Sequence, residues 1–354
     1  MPSFREQYEN DGYLVVKSAL DLDTAIHPLQ KAYTELLDAL TRIYLVETDI
    51  EVPNRFDELS LPERFAMLLG ASRGTALHHL DPVLNLFVPT FQWRKDLPNA
   101  RIPEMFQLMV NEKLLDLLED LIGPEVAASP IYHFNMKLSH DHLKLADQVA
   151  SSLGADLSQE GFYTFQVGRT GWHMDAISGI PDSHGSDIIN AWIPITHATE
   201  ANGCLVVIPG SHKDGVQYRP YPESLDQRGV ALPVEPGDIV FLDNKCLHSS
   251  ITNTSKEDYR WAYNFRYLKI GQASGRPFIP GFVARSHSAP ETELRNPHIW
   301  STMWVRCLDY LAEEGIPTSY DGVSKMGLEE AKKITKHWND LCPNPDSWLR
   351  LGQG

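Results

Sequence analysis

The hydrophobic pattern changes twice along the chain. Over residues 22–46 (LDTAIHPLQKAYTELLDALTRIYLV) and 105–123 (MFQLMVNEKLLDLLEDLIG), apolar side chains return every third or fourth position, the spacing that gathers them on one face of a helix. Gly123-Pro124 stops the second stretch. Ahead of both, residues 4–20 (FREQYENDGYLVVKSAL) predict a short helix, a turn at Asp11-Gly12 and a strand. From about 130 to 270 the runs shorten to IYHFNMKL, GFYTFQV, INAWIPIT, GCLVVIPG, GDIVFLDN and RWAYNFRYL. They are rich in aromatic and β-branched residues and bounded by Gly, Pro, Asn or Asp, so each predicts a strand. Asn202-Gly203 and Pro236-Gly237-Asp238 mark tight turns between them. Helical spacing returns from about 290, over 299–315 and 327–341. No repeat, low-complexity tract or linker interrupts the pattern. The expectation is one domain over 1–354, with a helical flank over 1–125, a mainly β core over 130–270 and a second helical flank over 290–354. Short strands with this punctuation form sandwiches, jelly rolls or barrels.

Composition adds exclusions. The 354 residues are 42% hydrophobic and 22% charged, ordinary for a globular protein. A formal net charge of -16 argues against nucleic acid and against a polybasic membrane contact. No run of about 18 apolar residues predicts a membrane span, and the charged N-terminal stretch lacks a secretory signal's apolar segment. Four widely spaced cysteines, Cys204, Cys246, Cys307 and Cys342, form no CxxC or disulfide framework, which fits reduced thiols in a cytoplasmic protein.

The candidate chemistry starts at residues 171–179, GWHMDAISG. In an extended segment His173 and Asp175 point the same way, giving two potential metal ligands that need a third. Taken singly, most of the 14 histidines are packing or surface residues. Downstream, the strand over 237–244 leads to His248, a polar stretch follows, and another strand opens at Arg260.

A His-X-Asp pair, a later strand with a His, and an Arg beyond it resemble the iron(II)/2-oxoglutarate dioxygenases, whose two His and one carboxylate hold iron on one face. The chain is most similar to their phytanoyl-CoA dioxygenase branch. WHMD is followed by AWIPITHATEANGCLVVIPGSH, then by PGD before a strand, His248, Asn253 and Arg260. The resemblance covers about 130–270, with a looser match in the N-terminal YENDGYLVV; the C-terminal helices lie outside it. It implies a double-stranded β-helix (a cupin-like jelly roll) wrapped by N- and C-terminal α-helices.

The resemblance also implies roles. His173, Asp175 and His248 would hold Fe(II), and Arg260 would grip the far carboxylate of 2-oxoglutarate, since a guanidinium fork matches a carboxylate. Ser250 would assist that carboxylate and Trp192 would line the co-substrate pocket. Gln166 and Asn135, read as strand residues entering the site, are candidates for hydrogen bonds to co-substrate or substrate, with Lys137 a further one. Tyr163, Phe165, Phe134 and Met174 are candidates for an apolar substrate wall, the alternative being core. His212 looks structural, and His78-His79 could belong to a lid. Arg266 is the rival to Arg260. The two share a strand face, and six positions at about 3.3 Å separate them by roughly 20 Å. A short hairpin from His248 to Arg260 would keep Arg260 at the metal end.

The implied reaction consumes 2-oxoglutarate and O2, releases succinate and CO2, and most often hydroxylates a C–H bond. Asp175 argues against halogenation, because halogenases of this superfamily lack the carboxylate. The expected substrate is a medium-sized, partly apolar small molecule such as a secondary metabolite; the acidic charge counts against an acyl-CoA. The helical extensions could build a homodimer interface. Two other readings stay open. A zinc hydrolase or isomerase could use the same trio on a cupin-like barrel, and a binding protein could retain the fold without catalysis.

Overall fold

The computed structural model describes residues 3–313 and 315, except 48–55, 78–79, 81–96, 160, 180, 219, 277–278 and 280. The helix expected over 327–341, Cys342 and the His78-His79 lid lie outside the described residues.

Among the described residues, nine strands form two antiparallel sheets. The larger has six: β1 (Tyr13–Val16), β2 (Glu125–Lys137), β3 (Ile189–Pro194), β6 (Ile239–Asp243), β8 (Arg260–Lys269) and β9 (Phe282–Ser286), in the order β1-β6-β3-β8-β2-β9. The smaller has β4 (Leu205–Val207), β5 (Val230–Leu232) and β7 (His248–Ser250), in the order β5-β4-β7. Strand β8 shows how sequence divides the molecule. Trp261, Tyr263, Phe265 and Tyr267 fall on one face and join the main hydrophobic core. Arg260, Ala262, Asn264 and Arg266 fall on the other, which faces the second sheet, because side chains alternate along a strand. Between the sheets, Trp192, Leu205, Val207, Leu232, Val240, Leu242 and Ala262 pack as a separate cluster. This is a jelly roll with helices on its outer face.

Those helices come from both ends of the chain: α1 (Phe4–Asp11), α2 (His27–Glu47), α3 (Leu61–Ala71), α4 (Pro103–Met109), α5 (Glu112–Ile122), and after β9, α8 (Pro297–Glu313). Tyr33 of α2 stacks within 4.6–5.3 Å of Phe134, Trp261 and Tyr263, measured between ring centroids. Trp300 of α8 lies 5.6 Å from Phe106 and 6.1 Å from Tyr132. Such ring pairs add to the burial of their area, so both flanks are anchored on the outer face of one sheet. No helix among the described residues is long and apolar enough to cross a membrane.

Four elements differ from the sequence reading. The run 105–123 gives two helices, α4 and α5, rather than one, because the Asn111 side chain accepts from Lys113 N and Leu114 N and starts α5 afresh. Residues 161–167 form a helix, α7 (Gly161–Val167), rather than a strand. Their composition suits a strand, but Tyr163 and Val167 are four apart and both buried, the spacing of a helix face. A helix, α6 (His140–Ser152), follows β2, opened by Ser139, whose side chain accepts from His142 N. Strand β2 begins at Glu125, earlier than expected, because Ser129-Pro130 sits where the pairing with β8 shifts register between Ala128 and Tyr132; a bulge tolerates proline.

The PGSH stretch joins the N-terminal corner to the interior. Gly210 N donates to Asp11 O at 2.7 Å, and His212 Nε2 lies 3.1 Å from Glu9 O. Gly12 is left-handed (φ 75°), and a Cβ there would sit 2.3 Å from the His212 ring. Ser211 Oγ accepts from Leu247 N at 2.8 Å, beside His248.

Candidate active site

The segment carrying His173 runs antiparallel to β7, and the two histidines are direct cross-strand partners. His173 N donates to His248 O at 2.9 Å and His248 N to His173 O at 3.0 Å. Their rings stand 4.2 Å apart between centroids. Asp175 opens a single 3-10 turn, Asp175–Ser178, tied down by Ala176 N donating to Asn244 O. One ligand atom from each of His173, Asp175 and His248 lies within 4.8 Å of the others. His173 Nε2 is 3.8 Å from Asp175 Oδ1, and His248 Nε2 is 3.9 Å from Asp175 Oδ2.

Both rings are oriented from behind. His173 Nδ1 is 2.9 Å from Gly171 O and His248 Nδ1 is 3.0 Å from Cys246 O. A carbonyl accepts only, so each Nδ1 carries the proton and each Nε2 presents a lone pair. Two neutral imidazoles and one carboxylate, with faces left open, fit a divalent ion that binds further ligands. Burial would raise the Asp175 carboxyl, but the Arg266 guanidinium and His248, His173 and His133 outweigh it and hold it well below the usual carboxylate range. Asp175 is therefore an anion ready to ligate.

Arg266, not Arg260, touches the carboxylate. Arg266 Nη2 lies 2.8 Å from Asp175 Oδ1, and Asn264 Nδ2 donates to Asp175 Oδ2 at 3.3 Å. The expectation that the His248–Arg260 link is a hairpin keeping Arg260 nearest the metal end fails for a topological reason. Strand β7 belongs to the small sheet and β8 to the large one, so the link crosses between sheets. His248 then stands over the middle of β8 rather than its start.

Arg260 is 1% exposed. Its Nε donates to Gly203 O at 3.1 Å, and its guanidinium carbon sits 5.4 Å from the Trp192 ring centre. Nη1 is buried with no hydrogen-bond partner, and no carboxylate pairs with Arg260 among the described residues. Burial pushes its pKa down to about 10. Beside it, at the paired register position on β2, stands Lys137. The Lys137 ammonium donates to Thr170 Oγ1 at 2.6 Å and to Gln166 O at 3.1 Å. Thr170 N in turn donates to Ser250 Oγ at 3.1 Å, two residues beyond His248. Burial, with Arg260 nearby, holds the Lys137 pKa well below its usual value.

The remaining candidates divide. Asn135 is half-buried on the inner face of β2, across from Ala262. Gln166 lies on helix α7 rather than on a strand, and its Nε2 is 3.5 Å from His133 Nε2. Phe134 and Tyr163 belong to the core on the opposite face, and Met174 is fully buried with Leu225 and Leu247, so these three form no substrate wall. The Phe165 side chain lies outside the described residues. Sequence reasoning missed His133, Asn264 and Thr170. His133 shares the inner face with Asn135 and Lys137, and Asn264 shares it with Arg260, so period-two alternation carried the signal for both.

A jelly roll with this trio, ring nitrogens aimed inward and a buried guanidinium with which no carboxylate pairs among the described residues defines the class of 2-oxoglutarate-dependent non-haem iron dioxygenases. Within that class the chain belongs to the phytanoyl-CoA dioxygenase family, whose model (Phytanoyl-CoA dioxygenase, PhyH) matches residues 8–262. It is similar to rat phytanoyl-CoA dioxygenase domain-containing protein 1, 27% identical over 209 residues, covering 51% of this chain and 68% of that protein. A Caenorhabditis elegans homologue of the same description is 23% identical over 308 residues, 76% of this chain and 91% of that one. Rice phytanoyl-CoA dioxygenase 1 is 34% identical over 76 residues, so the chain spans only 27% of its length and the match 18% of this chain. Similar solved structures include apo ThoJ, a non-heme monooxygenase (TM-score 0.48, 14% identity, 96% of this chain and 100% of that one). The non-heme alpha ketoglutarate dependent epimerase SnoN from nogalamycin biosynthesis is another (TM-score 0.42, 16% identity, 76% and 83%).

Proposed function

We propose that this dioxygenase hydroxylates a C–H bond of a medium-sized, partly apolar small molecule, a secondary metabolite being the type we favour, with release of succinate and CO2. In this reading His173, Asp175 and His248 hold Fe(II), and Arg260 grips the far carboxylate of 2-oxoglutarate. The bound ion would supply the oxidising chemistry, using O2 and the co-substrate's electrons. The chain's own residues bind, orient and exclude water.

The observation that carries the reading is Arg260. A buried cation with an open hydrogen-bonding position is costly, and a dicarboxylic acid that binds there removes the cost. Gly203 O and the Trp192 ring hold the guanidinium in place, so its free edge is set before the ligand arrives. The Ser250 hydroxyl accepts from Thr170 N, which leaves its own hydrogen to donate to a carboxylate. His133 and Asn135 on β2, with Gln166 on α7, give the substrate side polar partners that orient a hydroxyl or carbonyl beside its apolar skeleton. A zinc hydrolase would use the trio but has no need of Arg260.

The test is direct. Purified protein with Fe(II) and 2-oxoglutarate, kept anaerobic, should develop a visible charge-transfer band, and in air should convert 2-oxoglutarate to succinate. Absence of both, with iron bound, would return the case to non-oxidative metal chemistry. A search of small-molecule pools for products 16 Da heavier that require both iron and 2-oxoglutarate then identifies the substrate. The charge of -16 disfavours acyl-CoA, and a kinetic preference for a CoA thioester would reverse that.

A further inference from the structure

We propose that Arg266 is an internal counter-charge that keeps the metal site assembled in the metal-free protein, so that the ion enters a folded, preformed site. This rests on the reading that His173, Asp175 and His248 hold iron. Asp175 and Arg266 are 7% and 4% exposed. An ionised carboxylate this buried requires a partner, and before any ion binds, the nearest full positive charge is Arg266 Nη2 at 2.8 Å.

The contact does more than neutralise. Arg266 Nη1 donates to Ser178 Oγ at 2.7 Å and reaches Asp175 O at 3.5 Å. Ser178 Oγ itself donates to Asp175 O at 2.7 Å, and Ser178 O accepts from Arg276. One guanidinium thus spans both ends of the turn that carries the ligand. Asn264 Nδ2, two residues back on the same strand face, takes the other carboxylate oxygen at 3.3 Å. Both oxygens are held in orientation by β8, a central strand paired on both sides by β2 and β3. A lysine, a single point charge, cannot make the two-ended contact. Arg266 is a positioning residue, acting through Asp175.

The experiment is a double-mutant cycle on thermal stability in chelator-treated protein, with Co(II) added back as the probe. Breaking a buried pair by removing one member leaves the other charge uncompensated. Arg266→Met should lower the metal-free Tm by roughly 5–10 °C. The same change in an Asp175→Asn background should cost little, since no anion remains to be compensated. Co(II) should raise the Tm of Arg266→Met more than that of the unaltered protein, because the ion restores the missing positive charge. Arg266→Lys should recover part of the metal-free Tm yet show an altered Co(II) visible spectrum. Equal losses in both backgrounds, with an unchanged Co(II) gain, would make Arg266 an ordinary packing residue and overturn the proposal. If Arg266→Met does not fold, the double variant decides: it folds if the defect is the bare Asp175 charge and stays unfolded if packing is at fault. Failure of the unaltered protein to bind Co(II) would sink the iron reading, while the metal-free cycle would still stand or fall on its own result.

Discussion

Replacing Arg260 by methionine separates function from stability at a single position. In the ligand-free protein burial of the Arg260 charge opposes folding. Burial takes its pKa down to about 10, a depression worth about 3 kcal/mol against the folded state. The sign follows from its being a base with a lowered folded value. The cost is fully present at neutral pH and fades only as pH rises through about 10. Against it stand the bond to Gly203 O and the Trp192 contact, together about 2–3 kcal/mol. These terms nearly cancel, so Arg260→Met should leave the metal-free stability within about 1 kcal/mol of the parent, a Tm change of about 2–4 °C or less.

Ligand binding should respond differently. A guanidinium paired with a carboxylate through two charge-assisted bonds contributes about 3 kcal/mol after desolvation, and each 1.4 kcal/mol is about tenfold. The KM for 2-oxoglutarate should rise about 100-fold, read as succinate release against 2-oxoglutarate concentration at saturating iron. Co(II) binding should persist, since no metal ligand is touched. An unchanged KM would show that Arg260 does not hold the co-substrate. A Tm fall beyond about 10 °C would show that the guanidinium stabilises the fold and that its open Nη1 has no functional meaning.

Other perturbations probe the neighbouring parts. His248→Ala should abolish both succinate release and the anaerobic charge-transfer band while the protein stays folded; a retained band would remove His248 from the metal. Gly203 has φ 97°, and a Cβ there would lie 2.8 Å from Ile251 O, so Gly203→Ala should cost about 1–3 kcal/mol and raise the KM for 2-oxoglutarate by moving the carbonyl that holds Arg260. Burial lowers the His133 pKa to about 4; a base with a depressed folded value contributes stability above its unfolded value near 6.5 and loses it as pH falls from there toward 4. Tm should therefore drop across that window by more in the parent than in His133→Gln, and parallel curves would show that His133 titrates normally.

Sequence pattern carried far where local period and global fold agree. The helical spacing of 22–46 and the alternation of 260–268 survive into α2 and β8 because each buries the face its spacing gathers, whereas the run 105–123 is helical but divides into α4 and α5. The run 161–167 misled because seven residues are too few to separate period two from period 3.6, and burial of Tyr163 with Val167 decided the matter. The short β9 pairs only with the first residues of β2, Glu125–Ala128, on the far side of a bulge, a relation no local window contains.

The site shows the same division. An ordered set of chemical types was enough to nominate His173, Asp175, His248 and Arg260, because ligand identity is local. The part played by Arg266 was not legible, and the reason is topological. Distance along β8 was measured from His248 as though β7 and β8 shared a sheet, whereas they lie in facing sheets. Once the chain crosses between sheets, a residue 18 positions from His248 can sit at the ligand carboxylate while one 12 positions away stands further down the same strand. The two arginines thereby divide the inner face of β8 by charge. Arg266 has its anion within the protein, in Asp175. Arg260 has none among the described residues, and that asymmetry on a single strand is the ground on which we propose Arg260 as the partner of the anionic co-substrate.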